Sequence, residues 1–152
     1  MSESGGGQHG VADRLDRNVE AGSGAKVVFK EQVAEITYGQ WQAQTRRLAN
    51  LLKRLGVRRE ERVAMMMLDT IDFPTAFLGS IRAGIVPVPP NTLLTSEQYA
   101  YVRADCRARV LFISAVLLPV ATVALGRMPS LQLACLSAST ADVPLLPRAD
   151  PA

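Results

Sequence analysis

The glycines, carboxylates, hydroxyls and thiols of this 152-residue chain are the groups that could do chemistry, and their spacing decides what each can do. Gly22-Ser23-Gly24-Ala25-Lys26 has small residues that would let backbone N–H groups approach a phosphate, and a lysine to neutralise it. It precedes the first strand of the pattern, leads into no helix and matches neither the Walker spacing nor Gly-x-Gly-x-x-Gly, so it reads as a turn. Gly5-Gly6-Gly7 has no strand before it and reads as leader. Asp69 and Asp72 flank the expected first turn of a helix, where capping and the helix dipole account for carboxylates without catalysis. Ser114 follows a strand but lacks the Gly-x-Ser-x-Gly elbow and an ordered histidine partner, since the only histidine is His9 in the glycine-rich start. Cys106 and Cys135 have no close pairing and no neighbouring histidine, which argues against metal binding and thiol catalysis alike. They read as small buried side chains of a reducing, cytoplasmic compartment. The residues therefore define no catalytic, cofactor-binding or metal-ligating position.

Composition sets the frame around these groups. With 48% apolar and 20% charged residues, the chain has the size and content of one globular domain. Its 17 basic and 14 acidic side chains leave a net charge of only +3. Much of that excess falls in Arg46, Arg47, Lys53, Arg54, Arg58, Arg59 and Arg62, read as the solvated side of one helix and its following turn. A nucleic-acid surface would combine a basic stripe with aromatics or a docking motif, and only Tyr38 and Trp41 lie nearby, so no nucleic-acid partner is expected. The first ten residues are polar and glycine-rich, without the apolar run of a secretory signal. Residues 110–126 carry no charge between Arg109 and Arg127, which leaves a membrane span as an alternative at the short edge of the permitted length. The β-branched start, Ser114 and the early Pro119 favour a buried strand followed by a helix, and hence no membrane.

The elements that would position these residues alternate in type. An antiparallel pair is predicted over residues 26–30 and 34–37, with Glu31 and Gln32 near the turn. Thr37 and Gln40 form a capping box for a helix whose inner stripe is Trp41, Leu48, Leu51, Leu52 and Leu55, ended by Gly56. Residues 62–68 read as a buried strand in which Met65, Met66 and Met67 fill the core. Asp69 or Thr70 is expected to cap the next helix, with Pro74 in its first turn, Phe73, Phe77, Leu78 and Ile81 inward, and Gly84 at its end. Residues 85–88 form a strand that Pro89 and Pro90 stop. Thr95 and Gln98 open a helix to about Cys106; residues 110–113 make a strand, 115–125 a helix and 131–136 a last strand. This is the pattern of an α/β fold, a mostly parallel sheet flanked by helices, whose ligand edge is the carboxyl end of the strands. The boundaries expected are a disordered leader over 1–17, a folded part over 18–136 and a disordered tail over 137–152, where Pro144, Pro147 and Pro151 break any periodic face.

Three segments make the chain resemble the adenylate-forming acyl- and aryl-CoA synthetases, most closely the benzoate-CoA ligase type. They are Ile36-Thr37-Tyr38-Gly39-Gln40-Trp41, Leu55-Gly56-Val57 with Glu61-Arg62-Val63, and Ala83-Gly84-Ile85-Val86-Pro87-Val88. The aromatic-acid branch is suggested by Met67-Leu68-Asp69-Thr70, Ala76-Phe77-Leu78-Gly79, Asn91-Thr92-Leu93-Leu94-Thr95 and Tyr99-Ala100-Tyr101. The resemblance implies the N-terminal subdomain of that fold. It also implies a parent reaction in which ATP converts an aromatic carboxylate to an acyl adenylate with loss of pyrophosphate, and CoA then displaces AMP.

ATP, Mg and CoA are the parent family's cofactors; none is expected for this chain. The family's Ser/Thr-Gly-rich phosphate loop ending in Pro-Lys-Gly, its aromatic-Thr-Glu segment, its ribose-binding aspartate and its C-terminal lysine have no counterpart among the 152 residues. The expectation is therefore an incomplete N-terminal fragment, inactive alone. The alternative is a non-enzymatic interaction module or one chain of a split ligase, whose partner would be the ligase's remainder.

Overall fold

The structure is a computed structural model that describes residues 10–31, 34–90, 107–119, 121 and 130–137. It opens with helix α1, Val11–Asn18, which runs into a π-helical turn over Val19–Ser23. Residues 11–17 had been expected in the leader, and the structure corrects this. Leu15 is 3% exposed, and the Asp16 carboxylate accepts two 2.8 Å bonds from the Arg82 guanidinium. A short helix with one apolar side chain gives little periodicity to read, and its anchor lies far along the chain.

Strands β1 (Val27–Lys30) and β2 (Glu35–Thr37) pair antiparallel, as predicted. Helix α2 (Tyr38–Arg54) begins with the expected reciprocal cap: Thr37 Oγ1 accepts the Gln40 N–H at 3.3 Å, and Gln40 Oε1 accepts the Thr37 N–H at 2.9 Å. It ends at Gly56, whose φ of 76° places it in the left-handed region, and Val57 N–H closes back on Leu52 O at 3.1 Å. The inner stripe differs from expectation. Thr45, Ala49 and Leu52 are buried, while Leu51 and Leu55 are 42% and 41% exposed. The small Thr45 and Ala49 lie inward because a second helix crosses closely there, a constraint that leucine spacing does not reveal.

The remaining described strands are β3 (Arg62–Met66), β4 (Val86–Val88), β5 (Val110–Ser114) and β6 (Leu133–Ser137). They form one parallel sheet in the order β4-β3-β5-β6. Helix α3 (Asp72–Arg82) links β3 to β4, and a 3-10 turn over Ala115–Leu117 follows β5. Strand β5 lies beside β3 in the sheet, so residues 110–114 are not part of a membrane helix, and among the described residues no helix is long and apolar enough to cross one. The helix expected over 95–106 and most of that expected over 115–125 lie outside the described residues.

Both sheet faces are covered at β3 and β5, which explains their unbroken apolar runs. On one face Val63, Met65, Met67, Val110 and Phe112 pack with Ala49 and Leu52 of α2 and Ala76 of α3. On the other, Ala64, Met66, Leu111 and Ile113 pack with Ala108, Ala121 and Leu117. The three consecutive methionines are 0%, 1% and 4% exposed; their unbranched side chains fill space on both faces.

Candidate functional site

A parallel sheet gathers its strand ends, and the order β4-β3-β5-β6 puts a topological switch point between β3 and β5, whose flanking connections depart in opposite directions. At that point the Leu68 N–H donates to Ser114 Oγ at 2.9 Å. Ser114 is 2% exposed, so its hydroxyl joins the ends of two strands and is not presented to solvent. Next to it Ser137, at the end of β6, donates its hydroxyl to Asp72 Oδ2 at 2.5 Å. Asp72 is in the first turn of α3, where its charge complements the helix dipole.

The start of α3 is held differently from expectation. The boundary residue is Ile71 instead of Asp69 or Thr70, and its N–H donates to Glu31 Oε1 across the fold. A carboxylate from the end of β1 thus does the work of a local cap and ties the hairpin to the sheet's carboxyl edge. Forty residues separate the two groups, so no local pattern could have identified the pair.

Two clefts flank this helix start. One, of about 280 Å³, is lined by Phe29, Lys30, Glu31, Asp69, Thr70 and Phe73 among others. The second, of about 210 Å³, includes Leu48, Met67, Asp72, Phe112, Cys135 and Ser137. Burial pushes the Cys135 thiol up, so it stays protonated and is a poor nucleophile. Cys106 lies outside the described residues. The ionisable lining of the two clefts is Glu31, Asp69 and Asp72 against Lys30, which itself sits 3.8 Å from Glu35. That charge balance does not fit the phosphates of a nucleotide, and no step through ATP follows from these residues.

The glycine-rich Gly22–Lys26 segment serves as a packed turn. Gly24 O accepts the Gly39 N–H and Lys26 O accepts the Tyr38 N–H, each at 2.9 Å, so the turn buttresses the entry to α2. Trp41 in that entry meets Phe29 edge to face, with ring centres 5.0 Å apart. The other two motifs meet at the sheet's amino edge. Glu61 accepts the Arg58 N–H at 2.7 Å and Arg109 Nη1 at 2.9 Å. The Arg58 hydrogen bond and the Arg109 charge hold the Glu61 carboxyl below its usual range. Gly84 O accepts the Glu60 N–H at 2.8 Å, and Val86 N–H reaches Glu61 O at 2.9 Å. These segments cap helices and start strands, at the opposite edge from the two clefts. The basic run Arg46, Arg47, Lys53, Arg54, Arg58, Arg59 and Arg62 is exposed throughout, as read from the sequence.

This architecture is the one shared by the starts of adenylate-forming enzymes. The family model of the AMP-binding enzymes matches residues 15–152, and the chain belongs to that family. It is 44% identical over 122 residues to the 4-hydroxybenzoate–CoA/benzoate–CoA ligase of Rhodopseudomonas palustris, covering 80% of this chain and 23% of that enzyme. It is 40% identical to the benzoate–CoA ligase of Thauera aromatica, covering 79% of this chain and 23% of the enzyme. The crystal structure of a benzoate CoA ligase from Burkholderia xenovorans superimposes with a TM-score of 0.76 at 38% identity, covering 83% of this chain and 25% of that one. The chain therefore spans about a quarter of the length of the relatives it matches.

Proposed function

We propose that this chain provides the N-terminal, helix-covered sheet of a benzoate-type CoA ligase. The parent reaction joins ATP, an aromatic carboxylate and CoA through an acyl adenylate, giving acyl-CoA, AMP and pyrophosphate, with magnesium as the metal and the cytoplasm as the compartment. The observation that carries this reading is the 44% identity to the benzoate and 4-hydroxybenzoate ligase across 80% of the chain.

The 152 residues by themselves do not perform the reaction. The acidic carboxyl-edge clefts support this. The test is ATP–pyrophosphate exchange with benzoate and 4-hydroxybenzoate, using the purified chain. The expected signal equals the no-acid control; robust acid-dependent exchange overturns the claim of inactivity.

A second reading is one chain of a split ligase, or an interaction module. It is favoured by Val86 on β4 and Leu136 on β6, which are 46% and 48% exposed on the two outer strands of the described sheet. Co-purification with a polypeptide carrying the remaining ligase sequence supports it, and a soluble monomer that captures no such polypeptide counts against it.

A further inference from the structure

We propose that α1 is a latch that opens as a unit of its own, separately from the parallel sheet, and that the Asp16 carboxylate is what keeps it closed. The helix has eight residues and only one buried side chain, Leu15. Eight residues are too few to hold a helix without tertiary support. Most of that support converges on one group. Asp16 accepts Arg82 Nη1 at 2.8 Å, Arg82 Nη2 at 2.8 Å and Gln42 Nε2 at 2.9 Å, and its Oδ2 lies 3.3 Å from Arg46 Nη2.

Thus two donors on α2 and a forked guanidinium on α3 all depend on a single carboxylate of α1. A bidentate guanidinium pair is geometrically demanding, so an amide in place of the carboxylate does not reproduce it. Among the described residues, the one other hydrogen bond of that guanidinium is the long 3.4 Å contact from Arg82 Nη2 to Ala12 O. Arg82 is only 14% exposed, and its Nε is buried without a partner in the structure, so the donors freed by losing Asp16 have no replacement at hand. Strands β3 and β5, by contrast, are buried on both faces and depend on no such contact. Opening of α1 bares a face of α2 and α3 that carries Gln42, Arg46 and Arg82, leaving the sheet intact.

Amide hydrogen exchange on the full 152-residue chain, read by mass spectrometry, tests this. In the unsubstituted protein, amides 15–19 should exchange about tenfold or more faster than amides 63–66 and 111–113. Asp16→Asn should speed the α1 amides by a further tenfold or so, while the strand amides, which exchange through global unfolding, speed up by no more than that factor and stay the better protected. Gln42→Ala, which removes one donor, should move the α1 amides less. Equal protection of α1 and the strands in the unsubstituted protein overturns the proposal without recourse to a variant. So does an Asp16→Asn effect on the α1 amides that is absent, or one that erases the difference in protection between α1 and the strands.

Discussion

Gly79 in α3 is the point at which the crossing of α2 and α3 is most sensitive to a single atom. A Cβ built on it would lie 2.8 Å from Leu48 Cδ2 and 3.1 Å from both Leu48 Cβ and Cγ. Carbon atoms in good contact are about 3.5–4.0 Å apart, so the nearest approach is too short by roughly 0.7 Å or more. Two effects compete in Gly79→Ala. Alanine favours the helix by about 1 kcal/mol, and overpacking costs about 1–3 kcal/mol. The net expectation is a loss of about 0–2 kcal/mol, opposite in sign to a glycine-to-alanine change on a free helix face.

Leu48→Ala removes the Cγ and Cδ2 responsible for two of the three close contacts and leaves only the Cβ contact at 3.1 Å. In that background Gly79→Ala should be neutral or stabilising, with a favourable coupling on the order of 1 kcal/mol. Urea unfolding of the four proteins of this cycle, followed by far-ultraviolet circular dichroism at unchanged m-value, measures the coupling. The reasoning fails if Gly79→Ala has the same effect in both backgrounds, or if it stabilises the chain in the presence of Leu48 by the full helix preference.

Two further outcomes follow from single contacts. Ser114→Ala removes the acceptor of the Leu68 N–H at the switch point and should cost about 1–3 kcal/mol in the same unfolding assay, whereas stability unchanged within error would show that Leu68 finds another partner. The Arg82 hydrogen bonds, followed by Gln42 and the Arg82 charge, outweigh burial and hold Asp16 well below its ordinary value of 3.8, while Glu61 is held below 4.5. Carboxyls depressed in the folded state contribute stability that is fully present above the unfolded value and is lost as pH falls through the folded one. Asp16→Asn and Glu61→Gln should thus be less stable than the parent near neutral pH, with a deficit that begins to shrink only as the pH falls below about 4 and that closes, for Asp16, only well below that. A deficit that stays constant as the pH falls would rule out the carboxylate charge as its source.

Much of the fold was legible because its signals are local. The Thr37–Gln40 box and the left-handed Gly56 lie within a few residues of the backbone groups they satisfy, so spacing alone predicts them. The β3 and β5 strands were recognisable as unbroken apolar runs because both of their faces are covered. The inner stripe of α2 was misread at Leu51 and Leu55, which are exposed, because the crossing with α3 seats Leu48 against Gly79 and turns Ala49 toward Ala76, a choice made by tertiary packing. The α1 helix, the Glu31 contact with Ile71 and the Ser137–Asp72 contact were invisible. Their partners are 66, 40 and 65 residues away, beyond the reach of any periodicity.

The sequence by itself determined the alternation of strand and helix, the capping boxes, the likeness to acid-activating ligases, and the turn character of the Gly22–Lys26 segment. Tertiary structure decided which groups meet. It set two of the three motifs of that likeness to ending helices and starting strands at the amino edge, and brought Glu31, Asp69 and Asp72 to the carboxyl edge. It also committed Ser114 to a buried hydrogen bond and α1 to a single carboxylate anchor. Local propensity acts over a few residues, whereas packing a parallel sheet brings together strand ends and helix starts that the chain holds far apart.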